Sequence, residues 1–576
     1  MKNFILILIV FNNTVPFYIM LIKNICLYFL IRNVSLIQVK VNEGVLEGEI
    51  LHSKYGSPFY SFKGIPYAEP PVDDLRFKAP QPVKRWNRVK EAKQFGSACF
   101  QYNMFVVPYP PPEGSEDCLY LNIYSPNVTT EQPYPVMLWI HGGGFKSGKS
   151  DEFKPEFLLR KKVILVTINY RLEVLGFLSL GTEDIPGNAG MKDQVAAMRW
   201  IKKNIQYFGG DPDNITIFGE SAGGVSISYH LISPMSKGLF KRAIKQSGTA
   251  NSWWPNTYRA RDRGIQLARE MGCNATDDKE IYDFFKTQPV EAFVKSTIFV
   301  TYAQSTKESD NEIFFQGDIY DVLRKGIHEG IDVINGYTED EGIHYFATET
   351  NHSRIFIQAN QFLEFFVPEP LTLHVPVVKQ MEIGKIMRDY YMKGAVATRE
   401  NVDDLLKYLN LEQFVYGALS WQQFVAKNNN KNKIYLYKFT CKSERNAGIN
   451  ATEAKDLFQH RTVVSHADDL AYFFPREPYV DMNSETFEMI DRATTLWTNF
   501  AKYGDPTPDN SLGVKWLPYT IMTQDYLDLG NTLVMGTAPE REAYKLWEIL
   551  KSRFLFYSFF VRILQLLHQL PHDILK

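Results

Sequence analysis

Ile215-Thr-Ile-Phe-Gly-Glu-Ser-Ala-Gly-Gly-Val-Ser-Ile-Ser-Tyr-His-Leu231 is the stretch from which the fold is read. Ile215–Phe218 is a short apolar run of strand character, and Val225–Leu231 continues with helical character. Between them lies Gly219-Glu-Ser-Ala-Gly223, a match to G-x-S-x-G. As a bare pattern it is common, and a glycine-rich strand-to-helix turn with a surface serine would also produce it. Its context gives it meaning. Gly219, Ala222, Gly223 and Gly224 are small, as a strained strand-to-helix turn requires. Such a turn pushes Ser221 Oγ out at the end of a sheet, beside a helix N-terminus that favours negative charge.

Working outward, Val136–Ile140 and Val163–Val166 are further buried-strand runs, and Gln194–Ile201 is apolar at helical spacing. Short strands return at Val333–Ile334 and Ile434–Tyr437. Continuous apolar strands separated by helices predict an α/β fold, with a mainly parallel sheet covered on both faces. The long helix-like segment between the two late strands reads as helical insertions into one sheet. No internal repeat or low-complexity tract interrupts residues 40–550.

A second glycine cluster, His141-Gly-Gly-Gly-Phe145, follows the run Val136–Ile140. Glycines let backbone N–H groups converge on a developing oxyanion, and Gly143, Gly144 and Ala222 are the expected donors. Losing one such donor typically costs roughly 10²–10³ in rate. Gly143-Gly-Phe-Lys-Ser-Gly-Lys-Ser150 also satisfies the phosphate-loop pattern G-x-x-x-x-G-K-[ST]. That reading needs an acidic residue ending a later apolar strand to hold Mg²⁺. Val163–Ile168 runs into Asn169 and Ile215–Phe218 into Gly219, with Glu220 the only acid close by. The oxyanion reading predicts a downstream nucleophile turn, and one is present.

Composition sets the outer bounds. Of 576 residues, 45% are hydrophobic and 22% charged, which excludes disorder, collagen and coiled coil for the whole chain. Lys plus Arg number 63 against 65 Asp plus Glu, so a net charge of −2 provides no global field for nucleic acid. Forty Phe and 32 Tyr suit a large core and an apolar pocket. The five cysteines form no C-x-x-C, so neither a zinc ribbon nor a thioredoxin-like pair is indicated, and no metal or cofactor is expected. Cys99 and Cys118 flank a proline-rich stretch that a disulfide would close, stabilising by roughly 3 kcal/mol. Sequons at Asn127, Asn214, Asn274, Asn351 and Asn450 are glycosylation candidates.

Residues 1–32 hold two apolar runs, each short of the ~20 residues a membrane helix needs. They read as a signal peptide or an anchor, the only route to membrane association. A secretory-pathway protein, secreted or held in the lumen, is expected, with a mature start near residues 33–40. Residues 38–550 form the expected single domain, and 551–576 an apolar tail suited to an amphipathic closing helix.

Several further motifs make the chain resemble the type-B carboxylesterases, the family that includes the cholinesterases. They include Phe62-Lys-Gly-Ile-Pro-Tyr-Ala68, Ser115-Glu-Asp-Cys-Leu-Tyr-Leu-Asn122, Gly187-Asn-Ala-Gly190, Phe208-Gly-Gly-Asp-Pro212 and Gln246-Ser-Gly248. The resemblance spans about residues 40 to 550. It implies an α/β-hydrolase fold and a Ser-Glu-His triad acting on carboxylic esters through an acyl-enzyme. Chain order places the acid after Ser221 and the base after the acid. Tyr337-Thr-Glu-Asp-Glu-Gly342 offers three acids, and the family's acid directly precedes Gly, which selects Glu341 over Glu339 and Asp340. Among seven later histidines only His466, in Ser465-His-Ala-Asp-Asp-Leu-Ala-Tyr-Phe-Phe474, lies in the family's catalytic motif. Ser247 matches a supporting position. Glu220 would help the imidazolium or serve as a structural carboxylate. Arg76 with Glu116 and Arg171 with Asp193 resemble structural ion pairs.

The family builds its acyl pocket after Gln246–Gly248, so Trp253 and Trp254 are either substrate-binding or core aromatics. As pocket residues they imply an apolar carboxylic ester. Juvenile-hormone esterases of the family tend to carry Gln where this chain has Glu220. Cholinesterases carry a Trp between the cysteines matching Cys99 and Cys118; here the loop has none, and Tyr102, Phe105 and Tyr109 bind a cation less well. A neutral ester is therefore the expected substrate. The competing class is a catalytically inactive adhesion or binding protein, but such members usually lose the serine.

Overall fold

Tyr134–Ile140 and Gly210–Glu220, the central strands, are apolar because both faces of the sheet are covered. Val136, Leu138 and Ile140 enter one core layer, and Met137 and Trp139 enter the other. The computed structural model describes residues 36–102, 110–294, 312–348, 352–372, 375–428, 431–446 and 453–568.

Thirteen strands form one sheet: β1 (Leu36–Lys40), β2 (Val45–Leu51), β3 (Phe59–Pro66), β4 (Lys90–Glu91), β5 (Tyr120–Ser125), β6 (Tyr134–Ile140), β7 (Ile164–Ile168), β8 (Gly210–Glu220), β9 (Arg242–Gln246), β10 (Asp332–Thr338), β11 (Ile434–Phe439), β12 (Asp525–Leu529) and β13 (Leu533–Thr537). Their order is β1-β2-β3-β5-β7-β6-β8-β9-β10-β11-β12-β13, with β4 beside β2. Pairings from β7 through β6 to β12 are parallel, as expected from the sequence. The flanking pairings are antiparallel except for the short β4, which runs parallel to β2, and the sequence reading did not anticipate these flanks. Flanking strands such as β2 alternate buried and half-exposed residues, so they lack the continuous apolar run that marks a central strand.

Helix α1 (Ala189–Asn204) extends the expected 194–201 at both ends, and α2 (Ala222–His230) follows β8 directly. Between β10 and β11 lie helical insertions, including α3 (Val402–Asn410) and α4 (Tyr416–Asn428). The C-terminal helix α5 covers Arg541–His568, and its Trp547, Leu550 and Phe554 are buried. No helix among the described residues is long and apolar enough to cross a membrane. The expected leader, residues 1–32, lies outside the described residues.

Register matters for function. Ile140 pairs with Gly219, Glu220 with Gln246, and Gln246 with Gly336. The C-terminal ends of β6, β8, β9 and β10 therefore finish side by side, and the loops that leave them share one edge.

Cys99 and Cys118 are disulfide-bonded, with Cα atoms 4.8 Å apart, while Cys273 and Cys441 are buried free thiols. Arg76 pairs with Glu116 and also donates to the carbonyls of Phe285, Lys286 and Gln288. Arg171 pairs with Asp193 in the interior, at 2.8 and 2.7 Å. Both act as structural clamps.

Candidate active site

Ser221 sits between β8 and α2 with φ +56° and ψ −121°, a conformation a non-glycine residue adopts only under local constraint. Close packing supplies that constraint. A Cβ on Gly223 would stand 2.1 Å from the Ile140 carbonyl oxygen, and one on Gly248 2.0 Å from the Ser221 carbonyl oxygen. The turn therefore fits only with glycine at both places. Ser221 is 8% exposed.

The glycine loop after β6 lies against this turn. A Cβ on Gly142 would be 2.7 Å from the Glu220 oxygen and 3.1 Å from Ser221 Cβ. Gly143 and Gly144 take φ +95° and +64°, and the Gly143 carbonyl accepts from the N–H groups of Lys146 and Ser147, curling the loop. His141 is stacked on Tyr170 (centroids 4.4 Å), and its Nδ1–H donates to Gly142 O at 2.9 Å. Burial lowers this imidazole to about 4 and keeps it neutral. The phosphate-loop alternative fails on geometry. Lys149 pairs with Glu113, Ser150 accepts from Asn122 and bonds Asn169 through its N–H, and only a three-residue helical turn follows.

The next loops bring Glu341 and His466 to this turn. His466 Nδ1–H donates to Glu341 Oε2 at 2.6 Å, and its Nε2 lies 3.0 Å from Glu220 Oε1, the residue before Ser221. Glu341 is fully buried, and its Oε1 accepts from the Thr338 N–H (2.8 Å) and the Ser247 hydroxyl. The rival acids are occupied elsewhere. Asp340 takes a bidentate pair from Arg461 and the N–H of Val464, while Glu339 pairs with Lys442. Of the other histidines, His344 lies 5.1 Å from His466 between ring centroids, His352 bonds the Phe346 carbonyl and His460 pairs with Asp403. His374 and His572 fall outside the described residues, as do the side chain of His568, Asn351, Asn450, and Phe105 and Tyr109 of the disulfide loop.

Electrostatics tie these groups together. Burial pushes Glu220 up to about 8 against the pull of His466. For His466, burial opposes protonation, but the carboxylates of Glu220 and Glu341 outweigh it and raise the imidazole to about 9. The two groups titrate as a coupled pair. Asp469, raised to about 6 by burial and bonded by Gln246 and Tyr437, adds a further carboxyl beside them. The sequence reading did not single it out, although it lies inside the quoted histidine motif.

Trp253 and Trp254 are half-buried, and their indole N–H groups donate to the carbonyls of Glu412 (3.2 Å) and Gln413 (3.1 Å). Phe414, from the same turn, stacks on His466 with centroids 4.2 Å apart. Neither Phe414 nor His344 carries a sequence motif, and only the fold brings them to the imidazole. Among the sequons, Asn274 is exposed, Asn127 is half-exposed, and Asn214 is half-buried with its Oδ1 accepting from Arg242.

Comparison with known proteins converges on one family. The model described as the carboxylesterase family matches residues 35–547. Juvenile hormone esterase of Tribolium castaneum is 34% identical over 542 residues, covering 89% of this chain and 91% of that protein. Esterase E4 of Myzus persicae is 33% identical, covering 84% and 88%. The crystal structure of juvenile hormone esterase from Manduca sexta, with OTFP covalently attached, superposes with a TM-score of 0.79 at 27% identity, over 90% of this chain and all of that one.

Proposed function

The chain belongs to the carboxylesterase family and is a serine carboxylic ester hydrolase, and we propose that Ser221, His466 and Glu341 are its nucleophile, base and acid. The observation that carries the reading is the 2.6 Å bond from His466 to Glu341 at the strand end that holds Ser221 in its strained turn. His466 takes the Ser221 proton as the oxygen attacks the ester carbonyl, then gives it to the leaving alcohol. Glu341 holds Nδ1–H and stabilises the imidazolium. The N–H groups of Gly143, Gly144 and Ala222 receive the oxyanion. Water, deprotonated by His466, then hydrolyses the acyl-enzyme and releases the acid. The covalently attached OTFP of the Manduca relative supports a covalent route. Retention of all three groups argues against a binding-only protein.

The substrate is a neutral apolar ester, with Trp253 and Trp254 walling the acyl side and Glu220 facing the imidazole. The half-buried Trp253 and Trp254, the latter beside Phe414, support this, and so does the lack of Trp between Cys99 and Cys118. The disulfide and the exposed sequon at Asn274 support passage through the secretory pathway. Ser221→Ala should lower turnover of a naphthyl acetate by about 10⁴-fold or more and abolish stoichiometric labelling by an organophosphate. Retained labelling would move the nucleophile elsewhere. On the wild-type enzyme, an acetylcholine analogue should show a clearly lower kcat/KM than the naphthyl ester, and parity would overturn the substrate reading.

A further inference from the structure

We propose that Asn410, the last residue of α3, and Phe414, on the turn Leu411–Val415 that follows it, are positioning residues for Glu341 and His466. The inference rests on reading those two residues as the acid and base.

Helix α3 ends against the loop that bears Glu341. A Cβ on Gly342 would stand 2.7 Å from Asn410 N and 2.8 Å from the Leu409 carbonyl carbon, so the two backbones touch. The Asn410 side chain spans the loop. Its Oδ1 accepts from the Gly342 N–H at 2.8 Å, and its Nδ2 donates to the Glu339 carbonyl at 3.0 Å. Glu341 is thereby bracketed on both sides by one amide, in addition to the Thr338 and Ser247 bonds to its carboxylate.

From Leu411 to Val415 the chain winds as a π-helix before α4 resumes the ordinary pitch. A π-turn holds one more residue than an α-turn, which rotates the following side chains by about 100°. Phe414, 5% exposed, lies flat on the His466 imidazole at 4.2 Å and 25°. The carbonyls of Glu412 and Gln413 in the same turn receive the indole N–H groups of Trp253 and Trp254. One turn thus connects the acid loop, the imidazole and the segment that follows Ser247.

The phenyl face acts on the charge His466 acquires. When the imidazole takes the serine proton it becomes a cation against an aromatic face, which favours the protonated form. The other titrating groups around the ring are Glu220, Glu341, Asp469 and His344. Neither F414L nor N410A removes any of these groups, and of them His344 also meets the Phe414 ring edge to face, with centroids 6.2 Å apart.

The test uses the full-length enzyme and a naphthyl ester, measuring kcat, KM and the pH profile of kcat/KM for F414L, F414Y, N410A and S221A. F414L keeps an apolar side chain but removes the π face. It should lower kcat about tenfold and shift the acid limb to lower pH, because the imidazolium loses a stabilising partner. F414Y should restore both. N410A should lower kcat by a similar factor with KM within about twofold, since it loosens the acid and not the pocket. Wild-type kcat and an unmoved limb in F414L and N410A, with S221A inactive, would overturn the proposal. So would a change in KM alone. An active S221A would instead overturn the triad reading on which it rests.

Discussion

Glu220 shows how much a single carboxyl can set at this site. It is buried, it stands 3.0 Å from His466 Nε2, and its charge is the leading influence that raises the imidazole. In the proposed triad the base must be neutral to accept the serine proton, so kcat/KM should rise with pH as the Glu220–His466 pair loses a proton. Removing the carboxylate in Glu220→Gln takes away the main stabiliser of the protonated ring, so the His466 pKa falls. The acid limb of kcat/KM should therefore move to lower pH in this variant. A pH series on wild type and variant checks the sign, and an upward shift would mean that Glu220 acts chiefly in its neutral form. The neighbouring acids illustrate the same selectivity. Three carboxyls stand in a row at 339–341, and their partners alone separate them, since Asp340 is held by Arg461 and Glu339 by Lys442.

At the scale of elements, the turn from β8 into α2 depends on contacts that tolerate no side chain. Gly223 lies so close to the Ile140 carbonyl that a methyl group would have to push α2 away from β6. Gly223→Ala should cost more than an ordinary glycine-to-alanine change in a helix, where alanine is favoured by about 1 kcal/mol. Loss of both soluble yield and esterase activity is expected, measured by thermal melting and ester turnover against wild type. A stable, active Gly223→Ala enzyme would show that the turn can relax. The glycine loop before it follows the same logic, because Gly142 packs on Glu220 and Ser221 themselves.

At the scale of the whole molecule, one sheet covered by helices has a parallel centre that carries the candidate site and mainly antiparallel flanks. The Cys99–Cys118 disulfide closes a loop of sequence separation 19 beyond β4 and ahead of β5. On loop-entropy grounds its removal destabilises by about 3 kcal/mol. The double variant Cys99→Ser/Cys118→Ser should melt a few degrees lower while the folded fraction keeps its turnover of a neutral ester. Calorimetry beside a kinetic assay separates the two, and loss of turnover without loss of stability would give the loop a direct part in the site.

The strand-to-helix turn at Ser221, the glycine cluster at 142–144 and the parallel core were legible in the sequence because each depends on neighbours along the chain. A continuous apolar run marks a strand buried on both faces, and small residues mark a turn with no room. The choice of Glu341 and His466 came from family motifs, since three acids and seven histidines are locally alike. The partners that distinguish them come from distant segments. Glu341 meets Ser247 from the loop after β9, Asp340 meets Arg461, and His466 meets Phe414. The antiparallel flanks, Asp469 as a further carboxyl, and the turn that brings Asn410 and Phe414 to the acid and imidazole were decided by tertiary structure alone. The groups around Ser221 meet because the register of β6, β8, β9 and β10 aligns loops far apart in sequence at one edge, where burial and mutual charge give each group its character.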